Sequence, residues 1–444
     1  MSPSGPYDSR IPIRRAPYGA NPALGRHGNR ARLEILDAAR HLFAERGFHG
    51  TTVEAIGQAS GRSGASVYQY FEGKAAIFGV FADELSDEVL ASARELGSTE
   101  VAGTGAVELA ELEKRIVRLS EVLGRHSTTF RLWPVAEQSD PALQGSSLRF
   151  VESFADALRP RLEAAGVPAD RRRAFAIALG AMVQWSHSTR SERTPFLDKD
   201  VLDGVLAGVV HRALFALPDR AGTLSVPGPL EVPRPEGARR TEDSRAVPGV
   251  RRPVTERGRA TLDRILVGAT TEFRRNGFTG TSVNDIAAAA GVSHGSVYTY
   301  WPDLGSLFAT LAHEAAVELG DHIDQATAGF ADTAEACAWV ESWLDFVGRH
   351  GTVLHTWTHE VLEDENLGPL ARDMELYVNA FMDAVLRSAP TAGTVDEDAA
   401  HLVMWSLLTD IPYTHYVQMG TLSRPELLEA LTVLLLRGLL GLRA

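Results

Sequence analysis

The side chains of this sequence that could do chemistry are suited to hydrogen bonding rather than to breaking bonds, and they come in two matched sets. Ser63, Ser66-Val67-Tyr68 and Tyr70 return 230 positions later as Ser293, Ser296-Val297-Tyr298 and Tyr300. Covalent chemistry finds no comparable grouping: there is no His-Glu-x-x-His, Cys-x-x-Cys, phosphate-cradling Gly-rich loop or Gly-x-Ser-x-Gly elbow. The pairs His313-Glu314 and His359-Glu360 lack a third partner at ligand spacing. No catalytic residue, cofactor or metal is therefore expected, and the chain is not expected to be an enzyme.

The matched sets sit inside a longer duplication. Ile35-Leu36, Ala39, Phe43, Gly47-Phe48, Gly50-Thr51, Val53, Ile56, Ala59 and Gly61 recur without a gap as Ile265-Leu266, Ala269, Phe273, Gly277-Phe278, Gly280-Thr281, Val283, Ile286, Ala289 and Gly291. A period this long excludes a solenoid and implies two complete domain sets. Within each copy, apolar residues at three- and four-residue spacing predict an amphipathic helix over about 32–46, ended by Gly47. Thr51 or Thr52 can cap a second helix of two turns, from about Val53 to Ser60. Two short helices that cross steeply need a small residue at the crossing, a turn residue tolerant of positive φ, and an apolar anchor beyond it. Gly57, Gly61 and Val67 fill those places, and Ala287, Gly291 and Val297 fill them again. This is the grammar of a helix-turn-helix.

On the strings Gly47 to Ile56 and Gly61 to Phe71 with Lys74, and on their partner from Gly277 to Trp301, the chain resembles the tetracycline-repressor (TetR) family of bacterial transcription regulators. The resemblance implies an all-α fold of two tandem units. Each would have an N-terminal three-helix DNA-binding domain and a C-terminal helical bundle for ligand binding and dimerisation. It makes 63–71 and 293–301 the recognition helices, expected in the major groove of double-stranded operator DNA. The expected DNA contacts are Thr52, Ser63, Gly64, Ser66, Tyr68, Gln69, Tyr70 and Lys74, and in the second copy Ser282, Ser293, His294, Ser296, Tyr298, Thr299 and Tyr300. The second copy departs from the pattern where Phe71-Glu72-Gly73-Lys74 becomes Trp301-Pro302-Asp303-Leu304. Loss of a phosphate-binding Lys would make it the weaker DNA binder.

Composition suits such a protein. The net charge is −13, yet Arg10, Arg14, Arg15, Arg26, Arg30 and Arg32 precede the first motif, and Arg239, Arg240, Arg245, Arg251, Arg252, Arg257 and Arg259 precede the second. Arms of this kind can follow phosphates or enter a minor groove. Cys337 is the one cysteine, so no intrachain disulfide is possible. The stretch Leu431 to Leu442 is broken by Arg437 and too short to span a bilayer. The expectation is a cytoplasmic protein with no membrane partner. The expected domains are a basic arm over 1–29, helix-turn-helix domains over 30–73 and 257–303, bundles over 74–217 and 304–444, and a Pro/Arg-rich linker over 218–256.

The bundles are duplicated too: Gly124-Arg125-His126 through Trp133 matches Gly348-Arg349-His350 through Trp357, and Val183-Gln184-Trp185-Ser186 matches Val403-Met404-Trp405-Ser406. By the resemblance each bundle holds a small-molecule pocket. Its candidates are Phe130, Trp133, Trp185 and His187 in the first copy, and Trp339, Trp343, Phe346, Trp357, Met374, Tyr377, Phe381 and Trp405 in the second. The second set, richer in aromatics and Met and joined by Tyr413, Tyr416 and Met419, suits a large apolar effector. The last two helices of each unit are expected to meet across an internal pseudo-twofold, so that a monomer supplies both recognition helices and further dimerisation stays open. The copies differ at Arg62 and Val292, Gly64 and His294, Ala65 and Gly295, and Gln69 and Thr299. Different donors and acceptors read different bases, so an asymmetric operator is expected. The alternatives are a protein-binding scaffold, or a regulator whose second helix-turn-helix has lost DNA.

Overall fold

The computed structural model describes residues 25–99, 106–215, 230–239, 255–330, 332–362 and 364–442, and among them it is all-α, without a strand. The arginines at 10, 14, 15, 240, 245, 251 and 252 lie outside these residues.

The chain divides into two compact units. The first holds 1–102 and 114–164, the second 103–113 and 165–444. In the first unit, α1 (Gly25–Gly50) buries Ile35, Ala39, Leu42 and Phe43 and bends at Gly47, whose φ of 68° only glycine adopts without strain. Helix α2 (Val53–Ala59) starts where the Thr52 hydroxyl accepts the Ala55 N–H; Thr51 is buried instead and donates to the Leu42 and Gly47 carbonyls. Helix α3 (Gly64–Val67) is a single turn, and beyond it Gln69 N–H reaches Ser66 O and Tyr70 N–H reaches Val67 O. These i to i+3 bonds alternate with the i to i+4 bond of Phe71 N–H to Val67 O at 3.0 Å, so the recognition segment is not one regular α-helix through Phe71. Helix α4 (Lys74–Gly97) carries Phe78 and Phe81 onto Phe43 at 5.7 and 6.2 Å between ring centres. Helix α5 (Ala106–Arg125), whose residues up to 113 count with the second unit, α6 (Ser127–Ser139) and α7 (Ser146–Ala164) follow, and α7 approaches α4 so closely that a Cβ on Gly97 would lie 2.0 Å from the Ala157 carbonyl oxygen.

The second unit gathers α8 (Arg172–Arg193) and α9 (Lys199–Leu214) with the whole second copy. That copy comprises α10 (Glu256–Asn276), α11 (Val283–Ala290), α12 (His294–Tyr300), α13 (Leu304–Thr327), α14 (Thr333–His359), α15 (Gly368–Ser388), α16 (Glu397–Trp405) and α17 (Arg424–Leu431). Here α12 is a continuous helix, with the Thr299 hydroxyl bonded to Gly295 O. Helix α16 runs on to Gln418 in wider turns, and α17 to Leu439 likewise, with Met419 N–H bonded to Thr414 O and Leu440 N–H to Leu435 O. Pro412 brings no N–H to the Leu408 carbonyl, and Trp343 Nε1 donates to it at 2.7 Å.

Helices α8 and α9 pack against α16, α17 and their continuations. Arg173 reaches Glu426 and Thr421 O, Arg212 donates to Gly438 O at 2.6 Å, and the Ser186 and Ser406 hydroxyls, both buried, lie 3.1 Å apart. A part of the stretch expected as linker is also held in this unit. Arg234 is clasped by Asp321 and Asp324 of α13 and donates to the Val317 carbonyl.

Candidate nucleic-acid interface and sensor cavity

In each copy the recognition segment is fixed from beneath and open above. Val67 and Val297 are buried anchors, while Tyr68 is 41% exposed and Tyr298 47%. Gly61 and Gly291, at φ 69° and 63°, make the sharp turn before it. Ser63 and Ser293 cap the next helix by accepting the Ser66 and Ser296 N–H groups. Thr52 and Ser282 cap α2 and α11, Ser282 in a reciprocal box with Asp285. Four expected contact residues are therefore helix caps, with exposed hydroxyls that still have acceptor capacity. Gln69, Thr299 and His294 are exposed, and the His294 ring lies 4.8 Å from that of Tyr298. Tyr300 donates its hydroxyl to Gly258 O, which ties it to α10.

Two expectations change. Arg62, set against Val292 as a reader of bases, is 23% exposed at its side chain; it is paired with Glu34 at 2.6 Å and donates to Ser60 O. Both of its terminal nitrogens thus donate inside the domain. Lys74, expected on the DNA backbone, donates to the Phe48 and Thr51 carbonyls at 2.7 and 3.1 Å and lies 4.5 Å over the Phe48 ring. Burial lowers its pKa. Lys74 thus closes the turn between α1 and α2. In the second copy Leu304 stands in its place, and the same turn is held from another helix: Glu360, just past α14, accepts the Phe278 and Thr279 N–H groups at 2.7 and 3.3 Å.

The pocket candidates separate. Phe130 and Trp133 belong to the first unit, where both pack on Phe150 and Trp133 Nε1 donates to Ser146. Trp185 and His187 belong to the second, and His187 is paired with buried Asp203 at 2.8 Å, which Lys199 also reaches. In the second copy a cavity of about 50 Å³ is lined by Trp343, Trp357, Met374 and Trp405 among the expected residues, and by Tyr413. Phe346, Tyr377, Phe381 and Trp339 are not on its wall: Phe346 packs on His322 and His350, Tyr377 donates to Asp324, and Phe381 lies against Trp339. Sequence reasoning did not assign Leu354, His355, Thr358, Glu375 and Asp410 to the wall. Arg193 of α8 stands beside it, paired with Glu375, donating to Thr358 O and lying 4.8 Å over the Trp405 ring. Burial holds the His355 imidazole well below its usual pKa, so it is neutral at pH 7.

Among the described residues, no group of three or more His, Cys, Asp or Glu side chains is gathered for a metal, and no helix is long and apolar enough to cross a membrane. Two exposed recognition segments on buried anchors define a protein with two helix-turn-helix domains. The profile of the bacterial regulatory proteins of the tetR family matches residues 35–80 and again 265–311, one match in each copy. Each of the two helix-turn-helix domains thus matches the tetR family, and the chain carries the match twice in tandem. It is similar to the HTH-type transcriptional repressor AcnR of Corynebacterium efficiens, 35% identical over 71 residues, which are 16% of this chain and 38% of the relative. It is also similar to AcnR of Corynebacterium glutamicum, 34% identical over 79 residues, or 18% of this chain and 42% of the relative. A third relative is the HTH-type transcriptional repressor KstR2 of Rhodococcus jostii, 35% identical over 80 residues, 18% of this chain and 38% of the relative. Each match spans less than half of the relative's own length.

Proposed function

We propose that this chain is a transcriptional regulator of the cytoplasm, a repressor released by a small apolar effector, and that it binds double-stranded operator DNA as an internal pseudo-dimer. The observation that carries the reading is the meeting of Ser186 with Ser406 at 3.1 Å. The two are counterparts in the duplicated strings, and a residue meets its own counterpart where a twofold axis passes. Helices α8 and α9 would then be one half of a four-helix dimer interface, with α16 and α17 the other half. A single chain would supply two recognition segments, which family dimers set about one DNA turn apart, ~34–36 Å.

The residues of those segments differ, with exposed Gln69 against exposed Thr299 and half-buried Gly64 against exposed His294, which supports an operator with two unlike half-sites. The wall of the second-copy cavity, largely aromatic and aliphatic with a few polar groups, supports an apolar effector there, and the cavity, about 50 Å³, would widen to take it. Footprinting on the DNA upstream of the chain's own gene tests the reading. Tyr68→Ala and Tyr298→Ala are each expected to cost about 1–3 kcal/mol of affinity, each at a different half-site. Unchanged footprints for both would contradict it.

A further inference from the structure

Helix α14 joins two things that the first copy keeps apart. Its second half lines the cavity with Val347, Gly351, Leu354, His355 and Thr358, and the residue after its end is Glu360. At 1.5 Å rise per residue, the wall from Leu354 to Thr358 lies roughly 3–9 Å along the axis from Glu360. The Glu360 carboxylate grips the turn of the second helix-turn-helix through the Phe278 and Thr279 N–H groups and lies against Gly277, where an added Cβ would be 3.0 Å from its oxygen. The Tyr413 ring joins wall and grip: it stacks on His355 at 4.3 Å, and its hydroxyl is held above its usual pKa first by burial and then by the charge of Glu360. In the first copy the residue at the matching place is Ala136. There the turn is closed by Lys74 of α4, and α6 touches it through an exposed contact of 3.2 Å between His49 Nε2 and Ser139.

We propose that Glu360 is a positioning residue that couples the cavity to the second helix-turn-helix alone, so that filling the cavity displaces the second recognition segment and leaves the first in place. This rests on the reading of that cavity as the effector site. A ligand that widens the cavity shifts α14, and a rigid helix carries the shift to the Phe278 and Thr279 amides. The coupling acts through two charge-assisted hydrogen bonds, so removing the carboxylate disconnects it. The outcome is an effector that releases one half-site rather than both.

The test uses the full chain with the cavity filled by substitution, Ala371→Leu or, independently, Val378→Phe. Hydrogen exchange at Phe278 and Thr279 is expected to rise about tenfold on filling, with no change at Phe48 and His49. Glu360→Ala alone should raise exchange at the same two amides by a similar factor, Glu360→Gln, which keeps an acceptor oxygen, by less, and filling should add nothing in the Glu360→Ala background. In footprints, filling should weaken only the half-site that Tyr298→Ala also weakens, and again only while Glu360 is present. Equal exchange changes in both turns, or an undiminished effect of filling in the Glu360→Ala background, would overturn the coupling. Absence of any footprint from the unmodified chain would strike at the DNA-binding reading instead, while the exchange measurement still decides the coupling.

Discussion

The two helix-turn-helix domains place their small residue at different crossings. In the first copy it is Gly57 on α2: a Cβ there would be 2.8 Å from Gly64 N and 2.9 Å from the Ser63 carbonyl carbon, while α1 presents Ala38. In the second copy α11 presents Ala287, and the glycine has moved to Gly268 of α10, where a Cβ would be 3.1 Å from Ala290 N and 3.2 Å from Ala290 Cβ. The middle helix is pressed against the recognition segment in one domain and against the first helix in the other. The same motif therefore presents its recognition segment from two slightly different supports. With it change the fastening of the turn, Lys74 from the start of α4 or Glu360 from just past α14, and the state of the segment, a single helical turn or a two-turn helix. Duplication kept the anchors and freed the attachments.

The largest expected effect that separates the two compact units is their response to acid. In the second unit His322 and His415 are buried and His350 and His355 half-buried, and loss of solvent lowers the pKa of each, His415 to about 4. The first buries His126, also lowered by burial, with the Glu88 carboxylate opposing the shift. A lowered pKa means the unfolded chain takes up the proton first. The stability these groups hold above pH about 6.5 is therefore lost as pH falls toward 4. His415 alone accounts for roughly 3 kcal/mol of that loss. Denaturant unfolding of the intact chain at pH 7 and pH 5, followed by exchange at amides of each unit, should show the second unit losing more; equal losses would remove this difference.

Next comes the crossing itself. Gly57→Ala should destabilise the first domain by about 1–3 kcal/mol through overpacking, and adding Ala38→Gly should recover part of it by letting α2 move toward α1. Gly268→Ala should act likewise on the second domain. Thermal unfolding of the singles and the double checks this, and strict additivity would mean that the two glycines are not alternative solutions of one packing problem. The smallest effect is Lys74→Met, expected to cost about 1 kcal/mol in the first unit by leaving two carbonyls without their donor, with Leu304→Met in the second unit near neutral. Comparable losses at both positions would contradict the different fastening of the two turns.

The parts set by local chain chemistry were legible in the sequence. The helix starts at Val53 and Val283, the positive-φ glycines at 61 and 291 and the anchors Val67 and Val297 follow from spacing, because a cap, a turn and a buried side chain each depend on a few neighbouring residues. What crosses the chain was not legible. Glu360 was visible only as half of a His-Glu pair without a third ligand, since its partners stand 82 and 81 positions away. Arg62 looks like a groove residue until Glu34, 28 positions earlier, is found beside it. Aromatic content did not mark the wall of the second-copy cavity: Phe346 and Phe381 pack as core, while Leu354 and Thr358 line the space. No period in the sequence separates the two.

The central claim is that one chain carries two reading heads of different sequence preference. Selection of bound sequences from random double-stranded DNA by the unmodified full-length chain tests it most directly. The account predicts a pair of unlike half-sites at a fixed spacing of about one helical turn, with Tyr68→Ala erasing the preference at one and Tyr298→Ala at the other. A perfect palindrome, with both substitutions weakening its two halves equally, would contradict it.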